Sequence, residues 1–163
     1  MAALPDAEKL CAQLAKQLAP LLKPATAMVG IHTGGAWVAE RVHQALKPKI
    51  PAAALDVSYY RDDYAARGLS RDVKRSEIPF EVEGRDLILV DDVLFTGRTI
   101  RAALNEIFDY GRPASVRLAT LVDRGGRQLP IAAQFVGARI DIDPRQSVDL
   151  ERGADGRLAF VLS

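Results

Sequence analysis

The chain has 163 residues, 48% of them hydrophobic and 26% charged, which excludes a disordered or multidomain chain and fits one domain, 1–163, with a substantial core. Its 22 basic residues against 21 acidic ones leave a net charge of +1. That balance excludes strong attraction of the whole surface to nucleic acid or acidic lipid, so any basic patch must be local.

Asp6 and Glu8 precede any sustained apolar run, so the amino terminus lacks the basic region and hydrophobic segment of a secretory signal. Ala7, Leu10, Cys11, Leu14 and Leu18 then recur at helical spacing, with Pro5 and Asp6 suited to a helix start and Pro20 beyond its end, which predicts a helix over about 6–19. Cys11 is the single cysteine. It can form no intrachain disulfide, fits a reducing cytoplasm, and reads as a small core residue on this stripe. Ala27 to Ile31 is a short apolar run ending in His32, Thr33, Gly34 and Gly35, after which Val38, Val42, Ala45 and Leu46 resume a helical stripe. Strand, loop and helix follow in that order. Ala52 to Tyr60 reads as a second strand, and residues 61–79 hold nine charged side chains among nineteen with no hydrophobic period, as expected for a functional or mobile loop.

Leu87, Ile88, Leu89 and Val90 form a continuous apolar run, the pattern of a central strand covered on both faces, so a strand is expected over 86–90. It leads into Asp91, Asp92, Val93, Leu94, Phe95, Thr96, Gly97, Arg98 and Thr99, and then into an amphipathic helix marked by Ile100, Ala103, Leu104, Ile107 and Phe108 that ends near Gly111 and Pro113. Val116 to Val122 gives the next strand. The alternation predicts an α/β fold, a mostly parallel central sheet flanked by helices. Phe135 to Ile142, Val148 to Glu151 and Leu158 to Leu162 read as short strands of a small C-terminal antiparallel β cap, a hood over about 135–163, with Gly153 to Gly156 as a hairpin turn. No run of about 18 apolar residues occurs, so no membrane span is expected and the protein reads as soluble and cytoplasmic. No internal repeat, low-complexity tract or zinc-type Cys/His spacing is present.

Ligands of open α/β sheets gather at the carboxyl ends of the strands, which points to the loop after the central strand. Thr96, Gly97, Arg98 and Thr99 stand where a helix begins: Gly97 admits close backbone approach, free N–H groups point outward, and the hydroxyls add donors. That is a cradle for phosphate. Asp91 and Asp92 would repel a phosphate but accept hydrogen bonds from vicinal hydroxyls and suit the surroundings of a magnesium ion. A phosphorylated sugar satisfies both halves. The plainer alternative is a strand-end carboxylate pair followed by an ordinary N-cap at Thr96. A Walker B reading of the apolar run and two aspartates lacks its Gly-x-x-x-x-Gly-Lys-Ser/Thr loop, and no Gly-x-Gly-x-x-Gly follows the first strand.

Residues 87–99, LILVDDVLFTGRT, resemble the phosphoribosyl pyrophosphate (PRPP) signature of type I phosphoribosyltransferases. With Arg101 to Leu104, Gly111 to Pro113, LVDRGGRQLPI over 121–131 and YRDD over 60–63, the chain is similar to the PyrR family, pyrimidine-operon attenuators that are also uracil phosphoribosyltransferases. The resemblance implies the type I phosphoribosyltransferase fold and transfer of ribosyl 5-phosphate from PRPP to uracil, giving uridine monophosphate (UMP) and pyrophosphate with Mg2+ required. It implies that Asp91 and Asp92 hold the ribose hydroxyls and Val93, Leu94, Phe95, Thr96, Gly97, Arg98 and Thr99 the 5-phosphate. By the same token Thr33, Gly34 and Gly35 form the pyrophosphate loop. Arg61, with Arg67, Arg71, Lys74 and Arg75, would complete the site from a mobile lid; the plainer reading of that run is a solvated loop. Uracil is expected near Val122, Asp123 and Arg124, with backbone groups of 135–137 reading its edge. Purine-using relatives often carry an acid directly before the Thr-Gly of the turn; Phe95 stands there, which favours a pyrimidine.

Family members commonly have Thr-Arg-Gly where this chain has Thr33, Gly34 and Gly35. Losing that charge-assisted contact to pyrophosphate could cost about 1.5–3 kcal/mol if neither Arg61 nor His32 replaces it. His32 reads as a loop residue near phosphate rather than a base, and His43 as a surface or packing residue. The second family activity implies UMP- or UTP-tuned binding of a leader RNA, which needs a basic face. Lys9 and Lys16 offer little against Asp6 and Glu8, so Arg117, Arg139 and Arg145 are the candidates for a local patch. The resemblance also implies a homo-oligomer, dimer or tetramer.

Overall fold

In the computed structural model, residues 3–57 and 76–163 are described. Asp6 caps the first helix, α1 (Ala7–Leu18), by accepting from the Lys9 amide at 3.1 Å, with Glu8 in the first turn and Lys16 in the last. Strand β1 (Ala27–Ile31) is buried throughout and feeds α2 (Gly34–Leu46). Edge strand β2 (Ala53–Leu55), central strand β3 (Asp86–Leu94), helix α3 (Arg98–Asp109) and strands β4 (Ser115–Asp123) and β5 (Phe135–Arg139) follow. They form a five-stranded sheet of order β2-β1-β3-β4-β5 in which every pairing is parallel.

The period-2 alternation of β3 divides the core. Ile88 and Val90 join α1 and α2 on one face; Leu87 and Leu89 join α3, through Ile100, Ala103 and Ile107, on the other. Double coverage is the physical reason for the unbroken apolar run. Two short strands, β6 (Val148–Arg152) and β7 (Leu158–Leu162), make an antiparallel hairpin whose Val148, Leu150, Leu158 and Phe160 side chains enter the α1–α2 side of the core.

Three expectations change. β3 runs on to Leu94 rather than ending at Val90, because β4 continues to pair with it through Val93–Val122 and Leu94–Asp123. β2 covers only 53–55 of the expected 52–60, since β1 offers it just the rungs Val29, Gly30 and Ile31; residues 58–60 lie outside the described ones. Phe135–Arg139 is not part of an antiparallel cap. It is the parallel edge strand of the main sheet, where Phe135 and Ala138 pack toward α1 and Gln17 donates to the Val136 carbonyl at 3.1 Å. The antiparallel cap is therefore β6–β7 alone.

Glu8 fixes that hairpin. Its carboxylate accepts from the Leu158 amide at 2.8 Å and from Arg41 at 3.2 Å, and Arg41 also donates to the Gly156 carbonyl. Burial pushes the Glu8 carboxyl up, but the Leu158 and Arg41 bonds outweigh it and hold it below its ordinary value.

Candidate active site

A cleft of about 520 Å³ opens at the carboxyl ends of β1 and β3. One wall is the β1–α2 loop, His32, Thr33 and Gly34; the floor carries Asp91, Asp92 and Val93; Phe95 and Thr99 come from the turn into α3. The far wall is Arg124 together with Ser147, Val148, Asp149 and Leu150 of the hairpin side.

The two carboxylates are not equivalent. Asp91 is 5% exposed and accepts from the Asp92 amide at 3.0 Å. Asp92 is half-buried and accepts from the Val93 amide at 2.9 Å with one oxygen, while its other oxygen lies over Gly34. Gly35 is equally constrained, because a Cβ there would stand 2.5 Å from the Val90 carbonyl oxygen. The missing side chains of the loop thus let the first turn of α2 lie directly against the carboxylate-bearing end of β3.

At the turn, Gly97 has φ 93°, the left-handed region, and a Cβ would stand 3.0 Å from Ile131, so glycine is needed for both conformation and space. Arg98 donates its amide to the Thr96 hydroxyl oxygen at 3.2 Å and its side chain to Gln128 at 2.9 Å. Leu94 is buried in the core, and its carbonyl accepts from the Arg124 amide at 3.1 Å. Phe95, 37% exposed, stacks under the Arg124 guanidinium at 3.9 Å.

Of the three residues expected to contact the base, only Arg124 faces the cleft, and its terminal nitrogens donate to the carbonyls of Gln146 at 2.8 Å and Asp143 at 3.4 Å. Val122 is fully buried in the core. Asp123 is buried and spends its carboxylate on Arg127 at 2.6 Å, Arg139 at 3.1 Å and the Gly125 amide at 2.9 Å. Burial raises its pKa, yet these partners outweigh it and hold the carboxyl below the usual range. Phe135 to Gly137 belong to β5 and are not on the cleft wall. The residues that sequence reasoning missed are Ser147 to Leu150. Their alternation announces a strand, but nothing local says that it covers a site.

Arg61, Arg67, Arg71, Lys74 and Arg75 lie outside the described residues. The end of that segment is anchored: the Ser76 hydroxyl accepts from the Asp56 amide at 2.9 Å and donates to Glu106 at 3.0 Å, and Glu77 bridges Ala54. Arg117 stands apart from Arg139 in the candidate basic patch. Arg117 pairs with Ile88 near the start of β4, six residues and about 20 Å of strand from the Asp123 end where Arg139 stands.

Residues 2–151 match the family model for the phosphoribosyl transferase domain. Among curated proteins, a bifunctional protein PyrR of Nitrosococcus oceani is 57% identical over 126 residues, 76% of this chain and 71% of that protein. One from Pseudomonas syringae is 48% identical over 151 residues, 90% of this chain and 89% of that protein. A hypoxanthine-guanine phosphoribosyltransferase structure from Bacillus anthracis superposes with a TM-score of 0.66 at 18% identity, over 90% of this chain and 88% of that one. A hypoxanthine phosphoribosyltransferase from Staphylococcus aureus gives 0.65 at 21% identity, over 85% and 75%. The two structures share the fold, and the family match together with the relatives at 48–57% identity places this chain in the phosphoribosyl transferase domain family, among the PyrR proteins.

Proposed function

We propose that the chain transfers the ribosyl 5-phosphate group of PRPP to uracil, releasing pyrophosphate and forming UMP. The observation that supports this most directly is the meeting, in one cleft, of the Asp91–Asp92 pair, the start of α3 and the start of α2. In the reaction the C1–pyrophosphate bond breaks, the bond from C1 to uracil N1 forms, and the N1 proton is released. Positive charge grows on the pentose ring and negative charge on the leaving group, as in glycosyl transfer generally.

Asp91 and Asp92 hold the ribose hydroxyls and favour the cationic ring. Thr33 to Gly35, at the N-terminus of α2, offer amides to pyrophosphate, and Thr96 to Thr99 offer amides and hydroxyls to the 5-phosphate. Among the described residues no group of three or more His, Cys, Asp or Glu side chains could hold a metal ion. Asp91 and Asp92 would be outer partners of a magnesium ion brought in with PRPP, which would offset the charge of the departing pyrophosphate. Uracil lies between Phe95 and β6. Ser147 exchanges both backbone hydrogen bonds with Ser163, so by alternation Val148 and Leu150 turn their N–H and C=O groups to the edge of β6 that β7 does not use. Alternating donors and acceptors match the O2, N3–H and O4 edge of uracil.

A nucleobase panel with PRPP and magnesium tests the assignment. Pyrophosphate release with uracil alone is the expected result; release with a purine, or with no base, overturns it. A second role, UMP- or UTP-tuned binding of leader RNA, draws on the PyrR relatives and on the side chains of Arg139 and Arg145, 74% and 89% exposed. Salt-dependent RNA binding that UMP strengthens is its signature.

A further inference from the structure

The segment after β4 contributes Arg124 to the cleft, but a second arginine, Arg127, makes the more consequential contacts without being part of the cleft wall. Each nitrogen of its guanidinium has an acceptor. One terminal nitrogen donates to the Phe95 carbonyl at 2.7 Å, the other to Asp123 at 2.6 Å, and Nε donates to the Ile131 carbonyl at 2.9 Å. Asp123 ends β4 and is itself fixed by the Gly125 amide and Arg139, so the guanidinium is braced against the sheet. The next peptide of the turn is held from the same side, because the Thr96 carbonyl accepts from the amides of Gln128 at 2.9 Å and Leu129 at 3.2 Å.

These bonds set the direction of the amides. In a trans peptide the carbonyl of one residue and the N–H of the next point in opposite directions. Fixing the Phe95 carbonyl on Arg127 turns the Thr96 N–H away from segment 127–129, and fixing the Thr96 carbonyl on Gln128 and Leu129 does the same for the Gly97 N–H. Both amides belong to the residues that lead into α3, whose N-terminus favours an anion.

We propose that Arg127 is a positioning residue for the 5-phosphate: it touches no substrate, but it orients the Thr96 and Gly97 amides that do. This rests on the phosphate assignment made above. A lysine cannot replace it, since three acceptors in one plane need the guanidinium fork rather than a point charge.

The test compares the affinities of UMP and uridine, which differ only in the 5-phosphate, in the parent protein and in Arg127→Ala and Arg127→Lys. The expected result is a loss of tenfold or more in UMP affinity for both variants, uridine affinity within twofold of the parent, a matching rise in KM for PRPP, and partial recovery of Arg127→Ala with added guanidinium ion. General loosening of the fold would lower both affinities together and would not respond to guanidinium. Should Arg127→Ala fail to fold, Arg127→Lys, which keeps the charge next to Asp123, gives the same comparison. An unchanged UMP-to-uridine ratio in the folded variant overturns the inference alone; a parent that binds UMP no better than uridine overturns the phosphate turn itself.

Discussion

The carboxylate of Asp92 occupies the space that a side chain at Gly34 would need: a Cβ on Gly34 would stand 2.6 Å from Asp92 Cγ and 3.0 Å from its Cβ. Gly34 does not have a positive φ, so glycine is there for space rather than for conformation. The loop backbone thus packs directly on the carboxylate, and a side chain of any size at position 34 would have to displace it. Gly34→Ala is expected to displace Asp92 and reduce transfer about tenfold or more, while alanine in the first turn of α2 leaves the melting temperature unchanged or slightly higher. In an Asp92→Ala background the same substitution should have little further effect, the mark of direct coupling in a double-mutant cycle read on kcat/KM.

Asp91 and Asp92 should separate experimentally. Asp92 is half-buried at the cleft, and asparagine keeps its volume against Gly34 and an acceptor for the Val93 amide, so Asp92→Asn is expected to reduce transfer by about a hundredfold, the loss of one strong charge-assisted interaction in the transition state, with the fold intact. Asp91 is buried and holds the Asp92 amide at 3.0 Å. Asp91→Ala leaves that amide without its partner and should cost about 1–3 kcal/mol of stability as well as activity. Thermal unfolding beside a pyrophosphate-release assay distinguishes the two; a large stability loss in Asp92→Asn would contradict the assignment of its carboxylate to ligand.

What could be read in the chain divides along the same physical line. β3 and the turn into α3 were legible because burial on both faces writes an unbroken apolar run, and because a glycine with threonines at a helix start has few other uses. The extension of β3 through Asp91 and Asp92 was not, since carboxylates in a strand resemble a loop until the β4 pairing is seen. β5 was recognised as a strand and misplaced: no helix separates it from β4, so the usual signal of a parallel crossover is missing. Arg127 was invisible as a positioning residue because two of its three acceptors are main-chain carbonyls, which carry no residue identity. The far wall of the cleft depends on the Glu8–Leu158 contact between residues 150 positions apart, beyond the reach of any local pattern.

That contact also sets an acid limit on the hairpin. The folded pKa of Glu8 is depressed, so its contribution is fully present above the unfolded value near 4.3 and disappears as pH falls through the folded value. Melting temperature is therefore expected to decline below about pH 4.5, and Glu8→Gln, which keeps an acceptor for the Leu158 amide but loses the ion pair with Arg41, should flatten part of that decline. Parallel melting curves between about pH 3 and 7 measure the difference between the two proteins; identical pH profiles would show that Glu8 contributes nothing to it.

The Phe95–Arg124 stack joins the turn to the loop before β6, since the guanidinium that covers the ring also holds the Gln146 and Asp143 carbonyls. The ring also packs so closely on Gly126 that a Cβ there would stand 2.8 Å from Phe95 Cδ1. Removing the ring should release the far wall while leaving the phosphate turn in place, because the Phe95 contact with Arg127 runs through the backbone carbonyl. A cation–π contact of this kind is worth about 0.5–2 kcal/mol, and each 1.4 kcal/mol is a factor of about ten in affinity. Phe95→Ala is thus expected to raise the KM for uracil by about two- to thirtyfold with the KM for PRPP within about twofold. Phe95→Leu should fall between it and the parent, keeping bulk on Gly126 without the π face. Steady-state kinetics with each substrate varied in turn separates the two constants, and an equal rise in both would place Phe95 with the phosphate rather than with the base.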